Sequence, residues 1–149
     1  MLFDGSNSDD KSNKNEKFLK EFLCFRELSY CFCFYNPNHL VLRNILPTWA
    51  YNTLHNHSVD ERPKIYPLDT LKQYKTNDTL WNLCQQSLVE TGELHNNLRM
   101  AWGKQLIVWT SIIEDAYNYL IYLNDHYALD GLAPPSYHGI GWCFGLLDS

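Results

Sequence analysis

Apolar residues along this chain recur at helical spacing, and no stretch sustains the strict alternation that a half-buried strand requires. From Glu16 onward Phe18, Leu19, Phe22, Leu23 and Phe25 keep that period. The aromatic run continues to Tyr35 before Asn36-Pro37 stops it, which predicts a helix with one buried face. Pro47 opens a second helix over Thr48 to His55, where its missing N–H costs nothing. Asp60 to Pro67 reads as a polar loop and Leu68 to about Tyr74 as a short helix. Asp78 is placed to cap a helix that carries Leu80, Trp81, Cys84 and Leu88 and ends at Gly92, a residue type that tolerates a left-handed C-terminal position. The next helix follows at once, from Leu94 to about Thr110. Ser111-Ile112-Ile113-Glu114 matches a capping box, predicting a further helix from Ile112 to about Leu123. The Gly- and Pro-rich end, from Leu129-Asp130-Gly131 through Pro134-Pro135 to Gly145, reads as an ordered loop. With no repeat and no strand period the expected fold class is all-α. Residues 1–14, polar and rich in Gly and Ser, read as a flexible tail before a domain over 15–149.

A chain of 149 residues makes one domain, burying roughly 70% of its unfolded surface. Aromatics at 15%, with five Trp and ten Tyr, supply large rigid surfaces suited to holding something flat. The five cysteines are odd in number and irregularly spaced, and neither a signal peptide nor a run of 18 or more apolar residues is present. The expectation is an intracellular, soluble protein with reduced thiols and no membrane partner. Cys31 and Cys33 form a C-x-C pair beside Cys24, but no second ligand pair follows, so no metal is expected. The net charge of -5 argues against broad, sequence-blind nucleic-acid binding. Every Lys and Arg lies at or before Lys104, while the last 45 residues carry Glu114, Asp115, Asp125, Asp130 and Asp148, so any DNA contact is expected from earlier segments or from sequence that this chain lacks.

Candidate chemistry gathers around Arg99. Arg99 and Trp102 are three apart on one helix, Trp102 and Trp109 seven apart, so the three lie near one face. A tight turn at Gly92 would fold the preceding helix back and bring Trp81 beside them, giving a line of three indoles. On residue chemistry alone these are an aromatic core stripe and a solvated helix charge. Asn124 is then a helix C-terminal cap, and Trp142 a surface plug.

Taken together, Thr91-Gly92-Glu93-Leu94-His95-Asn96-Asn97-Leu98-Arg99-Met100-Ala101-Trp102-Gly103-Lys104, Leu123-Asn124-Asp125 and Leu129-Asp130-Gly131 resemble the flavin-binding helical domain of DNA photolyases and cryptochromes. The likeness is greatest to the class II cyclobutane pyrimidine dimer photolyases and extends from about Phe18 to Asp148. The resemblance implies FAD as cofactor and a carbon–carbon lyase activity. In that activity reduced flavin, excited by light, gives an electron to a pyrimidine dimer flipped out of damaged DNA. It implies a tryptophan chain with Trp102 next to the flavin, Trp81 beyond it and Trp109 outermost. Arg99 would pair with Asp130 beneath the flavin ring; for a buried pair, losing one partner costs about 3–5 kcal/mol. Asn124 would approach the flavin N5 edge, where an amide reorients to donate or accept. In the segment from Phe18 to Leu28, Glu21 matches the glutamate that hydrogen-bonds the dimer, and Phe25 stands where many relatives have a tryptophan. Trp142 in Gly141-Trp142-Cys143 matches the second aromatic residue flanking the lesion.

Neither the α/β antenna domain of that family nor the segment that holds the flavin phosphates precedes Phe18 here, and the family's basic continuation is not matched after Asp148. The expectation is therefore an incomplete domain that pairs with the missing N-terminal part of the enzyme. Unaided, it would bind flavin at micromolar affinity or weaker, roughly 8 kcal/mol or less, and would not repair DNA. Two alternatives stay open: a cryptochrome-like flavin photoreceptor, and a non-catalytic helical remnant or interaction module.

Overall fold

Helices supply all the regular structure among the described residues, 15–148 of a computed structural model with the Glu21 side chain excepted, so the all-α expectation is borne out. The tail expected over Met1 to Lys14 lies outside the described residues. A helical stretch beginning at residue 15 passes through a π-helical segment, Lys20–Phe25, into α1, Arg26–Tyr35. There follow α2, Leu42–Ile45; α3, Thr48–Asn56; α4, Leu68–Lys72; α5, Thr79–Thr91; α6, Asn96–Val108; α7, Ile113–Tyr127; and α8, Pro134–Cys143. Among the described residues no helix is long and apolar enough to cross a membrane, and no group of three or more His, Cys, Asp or Glu is placed to hold a metal ion.

The expected punctuation mostly holds. Asp78 Oδ1 accepts the Trp81 backbone N–H at 2.9 Å, satisfying one of the orphan donors that open α5. Gly92 ends α5 with φ +74°, donating its N–H to the Leu88 carbonyl at 2.9 Å. That reversal lays α6 against α5, and α6 in turn packs on α7 and α8, which makes it the central helix. Leu88, Leu106, Ala116, Tyr117, Leu120 and Leu123 bury their side chains between these helices, each leucine contributing roughly 2 kcal/mol.

Four expectations need correction. The first helix does not bury its apolar face among the described residues: Phe18 is 64% and Phe22 50% exposed, and in α1 only Ser29 is fully buried. Periodicity reports that a face is apolar and says nothing of what covers it. Here α8 covers a neighbouring line instead, with Phe25 on Trp142, Ser29 and Phe32 on His138, and Cys33 on Pro134. The capping box does not form, because Ile112 is the N-cap and makes no side-chain bond. Nor does α7 stop near Leu123. It runs to Tyr127 and absorbs Asn124 and Asp125, whose weak helix propensity is overridden by tertiary bonds. The final segment is not a loop throughout, since Pro134 and Pro135 occupy the first turn of α8, where no N–H is required.

The Gly92 turn is also a close approach of two segments. A Cβ there would lie 2.6 Å from Leu129 Cγ, and the Gly92 carbonyl accepts the Leu129 N–H at 3.0 Å. Gly92→Ala should therefore destabilise by about 1–3 kcal/mol, from the left-handed backbone plus displacement of Leu129. Gly139→Ala, in α8 with nothing within 4 Å of the new atom, should be neutral or stabilise by about 0.5–1 kcal/mol. Chemical denaturation of the two variants checks the contrast.

Candidate functional site

Asn124 faces the middle of the α6–α7–α8 packing, and its amide is saturated. Its Oδ1 accepts a short bond from Arg99 Nη2 and one of 2.9 Å from Ser136 Oγ. Its Nδ2 donates to the Gly131 carbonyl at 2.9 Å and to Asp125 Oδ1 at 3.1 Å. Arg99 spreads its other donors to Asp130 Oδ1 at 2.8 Å and Ser136 Oγ at 3.3 Å. The second oxygen of Asp125 accepts from Tyr137 at 3.0 Å, and burial together with this bond pushes the Tyr137 phenol up to about 12. Arg99, Asn124 and Asp130, singled out from sequence, thus meet around one point. Asp130 keeps 55% of its side chain exposed and Arg99 22%, so their pair is not the buried one expected. The enclosed member of the cluster is Asn124.

These residues line a cavity of about 220 Å³ walled by Met100, Trp102, Pro135, Ile140 and Cys143. Burial pushes the Cys143 thiol up to about 11, so it contributes a neutral wall. A cation and a carboxamide at one edge of apolar surface suit a flat heterocycle with polar ring atoms. Met100, Asn96, Asp130, Pro135 and Gly139 are shared with a wider cavity of about 770 Å³, which opens between the start of α1 and α8. Phe25 and Trp142 form its jaws, ring centroids 6.1 Å apart and 27° from parallel. A planar ring between two faces needs about 7 Å between their planes, two contact distances of about 3.5 Å, so these half-exposed, mutually stacked side chains have to part to admit one. Arg26 stands at the rim, its guanidinium over Phe22 and Tyr30.

Behind the smaller cavity the three indoles form a row. Trp102 stacks on Trp81 at 6.2 Å and 14°, and Trp81 meets Trp109 edge-on at 5.3 Å. Trp81 Nε1 donates to the Trp102 carbonyl at 2.9 Å and Trp102 Nε1 to Gln85 Oε1 at 3.1 Å, so neither ring turns freely. All three are buried, Trp102 2%, Trp81 3% and Trp109 6% exposed. Beyond Trp109 the ring of Tyr66 continues the series at 5.0 Å.

Glu21 lies on the π-helical segment, its side chain outside the described residues. Trp142 sits near the end of α8, not in a loop. Ser136, Gln85, Tyr66 and His138 join the site without having been singled out. The hydroxyl, amide and imidazole carried no sequence signal, because each acts across a helix crossing; Tyr66 was one of ten tyrosines.

The chain is 41% identical over 132 residues to the deoxyribodipyrimidine photo-lyase of Methanothermobacter thermautotrophicus, 43% over 125 residues to that of Potorous tridactylus, and 41% over 127 residues to that of Oryza sativa subsp. japonica. These alignments take in 89%, 84% and 85% of this chain but 29%, 23% and 25% of the relatives, so the chain spans about a quarter of their length. No family model matches it. The photolyase resemblance is borne out as similarity to one region of those proteins.

The geometry orders the energetics of the cluster. Asn124→Ala should cost about 3 kcal/mol, stranding the Ser136 hydroxyl and the Gly131 carbonyl. Asp130→Asn should cost less than about 1 kcal/mol, as for an exposed ion pair, and its coupling to Arg99→Leu should stay within about 1 kcal/mol. Denaturation midpoints of the single and double variants measure both.

Proposed function

We propose that this chain forms the cofactor-facing helical part of a class II-like DNA photolyase, which splits cyclobutane pyrimidine dimers in damaged DNA under light. The observation that carries the reading is the row Trp109, Trp81, Trp102, ending against a cavity edged by Arg99 and Asn124. A hydrophobic core gains from burying indoles but has no need of a contiguous file of them that ends against a polar pocket.

The residues fit FAD at its ring system: the Arg99 guanidinium presents charge along one side, fixed in place by the Asn124 amide, with Met100, Ile140 and Cys143 as apolar walls. When bound, FAD supplies light absorption and one-electron chemistry. The chain's own residues do the rest. Arg99 counters negative charge beside the cavity. Asn124, held on all four sides in this arrangement, presents a fixed amide. Trp102, Trp81 and Trp109 relay an electron inward, and the amide acceptors on Trp102 and Trp81 are too weakly basic to remove the indole proton. Phe25 and Trp142 hold a planar ring that has left the duplex, while Arg26 offers a cation at the rim. Glu21 contributes a carboxylate to dimer binding.

The test grafts the chain in place of the matching region of the Methanothermobacter thermautotrophicus photo-lyase and supplies FAD and a dimer-containing oligonucleotide. Light should cleave the dimer, and Trp102→Phe should abolish photoreduction of oxidised flavin while chemical pre-reduction restores cleavage. Photoreduction without cleavage would favour a photoreceptor. Absence of both flavin uptake and cleavage would favour a non-catalytic helical module and overturn the reading.

A further inference from the structure

The larger cavity contains a polar pair that neither the Arg99 cluster nor the indole row uses: Ser29 on α1 and His138 on α8. Ser29 Oγ lies 2.6 Å from the Phe25 carbonyl oxygen and 2.9 Å from His138 Nδ1. A hydroxyl has one proton, and a carbonyl only accepts. The shorter contact takes that proton, so Nδ1 carries its own hydrogen and donates to Oγ. The pair is thus no nucleophile and base, because the serine proton points away from the imidazole. What the arrangement does is fix the tautomer: a neutral histidine with Nδ1–H has its lone pair on Nε2.

Three further observations bear on that lone pair. Phe32 stacks on the imidazole at 5.1 Å and holds its plane. Burial lowers the His138 pKa and keeps the ring neutral. Nε2 makes no hydrogen bond among the described residues, yet it is not sealed in, since the buried unpartnered side-chain atoms there are Arg62 Nε and Gln85 Nε2. His138 lines the cavity with Phe25 and Trp142, and Nε2 is its one ring nitrogen without a partner among the described residues.

We propose that His138 Nε2 is the hydrogen-bond acceptor for the imide N3–H of a thymine ring held between Phe25 and Trp142. The choice of thymine rests on the photolyase reading, and the acceptor itself on the geometry. A thymine keeps its N3–H whether or not its 5,6 double bond has entered a cyclobutane ring, so the same contact serves the dimer and its repaired product. Cytosine presents an unprotonated N3, which would face lone pair with lone pair. His138 is therefore a specificity residue that favours thymine-containing lesions.

The experiment measures binding of the cyclobutane dimer of dTpdT, its N3-methylated form and undamaged dTpdT through quenching of tryptophan fluorescence, in the wild type and in His138→Leu. N3-methylation should weaken dimer binding by about three- to tenfold in the wild type, the effect of one net hydrogen bond. It should have no effect in His138→Leu. A purely structural His138, pinning α1 to α8, would change both affinities equally and leave the methylation ratio untouched. Nitrogen NMR of His138 in the ligand-free protein should show the Nδ1–H tautomer, and the Nε2–H tautomer would overturn the proposal. If the dimer binds with no methylation difference, the acceptor role falls and the photolyase reading stands. If undamaged dTpdT binds as tightly as the dimer with the methylation difference intact, the photolyase reading falls and the acceptor role stands. If none of the three binds, both fall.

Discussion

The four-way satisfaction of the Asn124 amide is the constraint on which the rest of the site depends. One side chain on α7 accepts from Arg99 of α6 and Ser136 of α8, and donates to the Gly131 carbonyl in the connection between α7 and α8. A buried carboxamide without partners costs more than most single contacts return, so the three helices and the connecting turn have one arrangement in which this group is affordable. That arrangement sets where Arg99 points, and with it the polar edge of the smaller cavity. The ion pair with Asp130, which drew attention in the sequence, is the outer and weaker part of the same cluster.

The Gly92 reversal is the second fixed point, and it connects backbone geometry to the indole row. A left-handed residue at the end of α5 sends the chain back along itself, so Trp81 on one helix faces Trp102 and Trp109 on the next. The same turn receives the Leu129 N–H, which positions Asp130 one residue later. A single glycine conformation therefore governs both the spacing of the aromatic row and the approach of the carboxylate to Arg99.

Sequence and structure agree wherever local chemistry decides the outcome: the Asp78 cap, the Gly92 stop, the proline start of α3 and the proximity of three tryptophans along two adjacent helices. They part where distant contacts decide. Asn124 and Asp125 look like the end of a helix until Gly131 and Tyr137 are brought against them. Pro134-Pro135 with Gly139 and Gly141 looks like a loop until those prolines fall in a first turn. Ser29, Gln85, Ser136 and His138 are unremarkable in sequence because each partner lies on another helix, up to 109 positions away for Ser29 and His138. The combination of motifs, by contrast, was legible as a resemblance, since their order and spacing survive without any knowledge of packing.

Gln85 shows how the core favours orientation over economy of polar groups. It is fully buried, accepts the Trp102 indole N–H, and leaves its own Nε2 without a partner among the described residues. An unmet buried donor costs about 1–3 kcal/mol, and replacing both partners with apolar groups of similar shape would remove the penalty. A core selected for stability alone would make that replacement. Keeping the pair holds the Trp102 ring at a fixed rotation, and the bond from Trp81 Nε1 to the Trp102 carbonyl does the same for its neighbour. The two bonds together turn a stacked contact at 6.2 Å into a defined one. Such definition adds little to folding energy, and it is consistent with the electron-relay role proposed for the row.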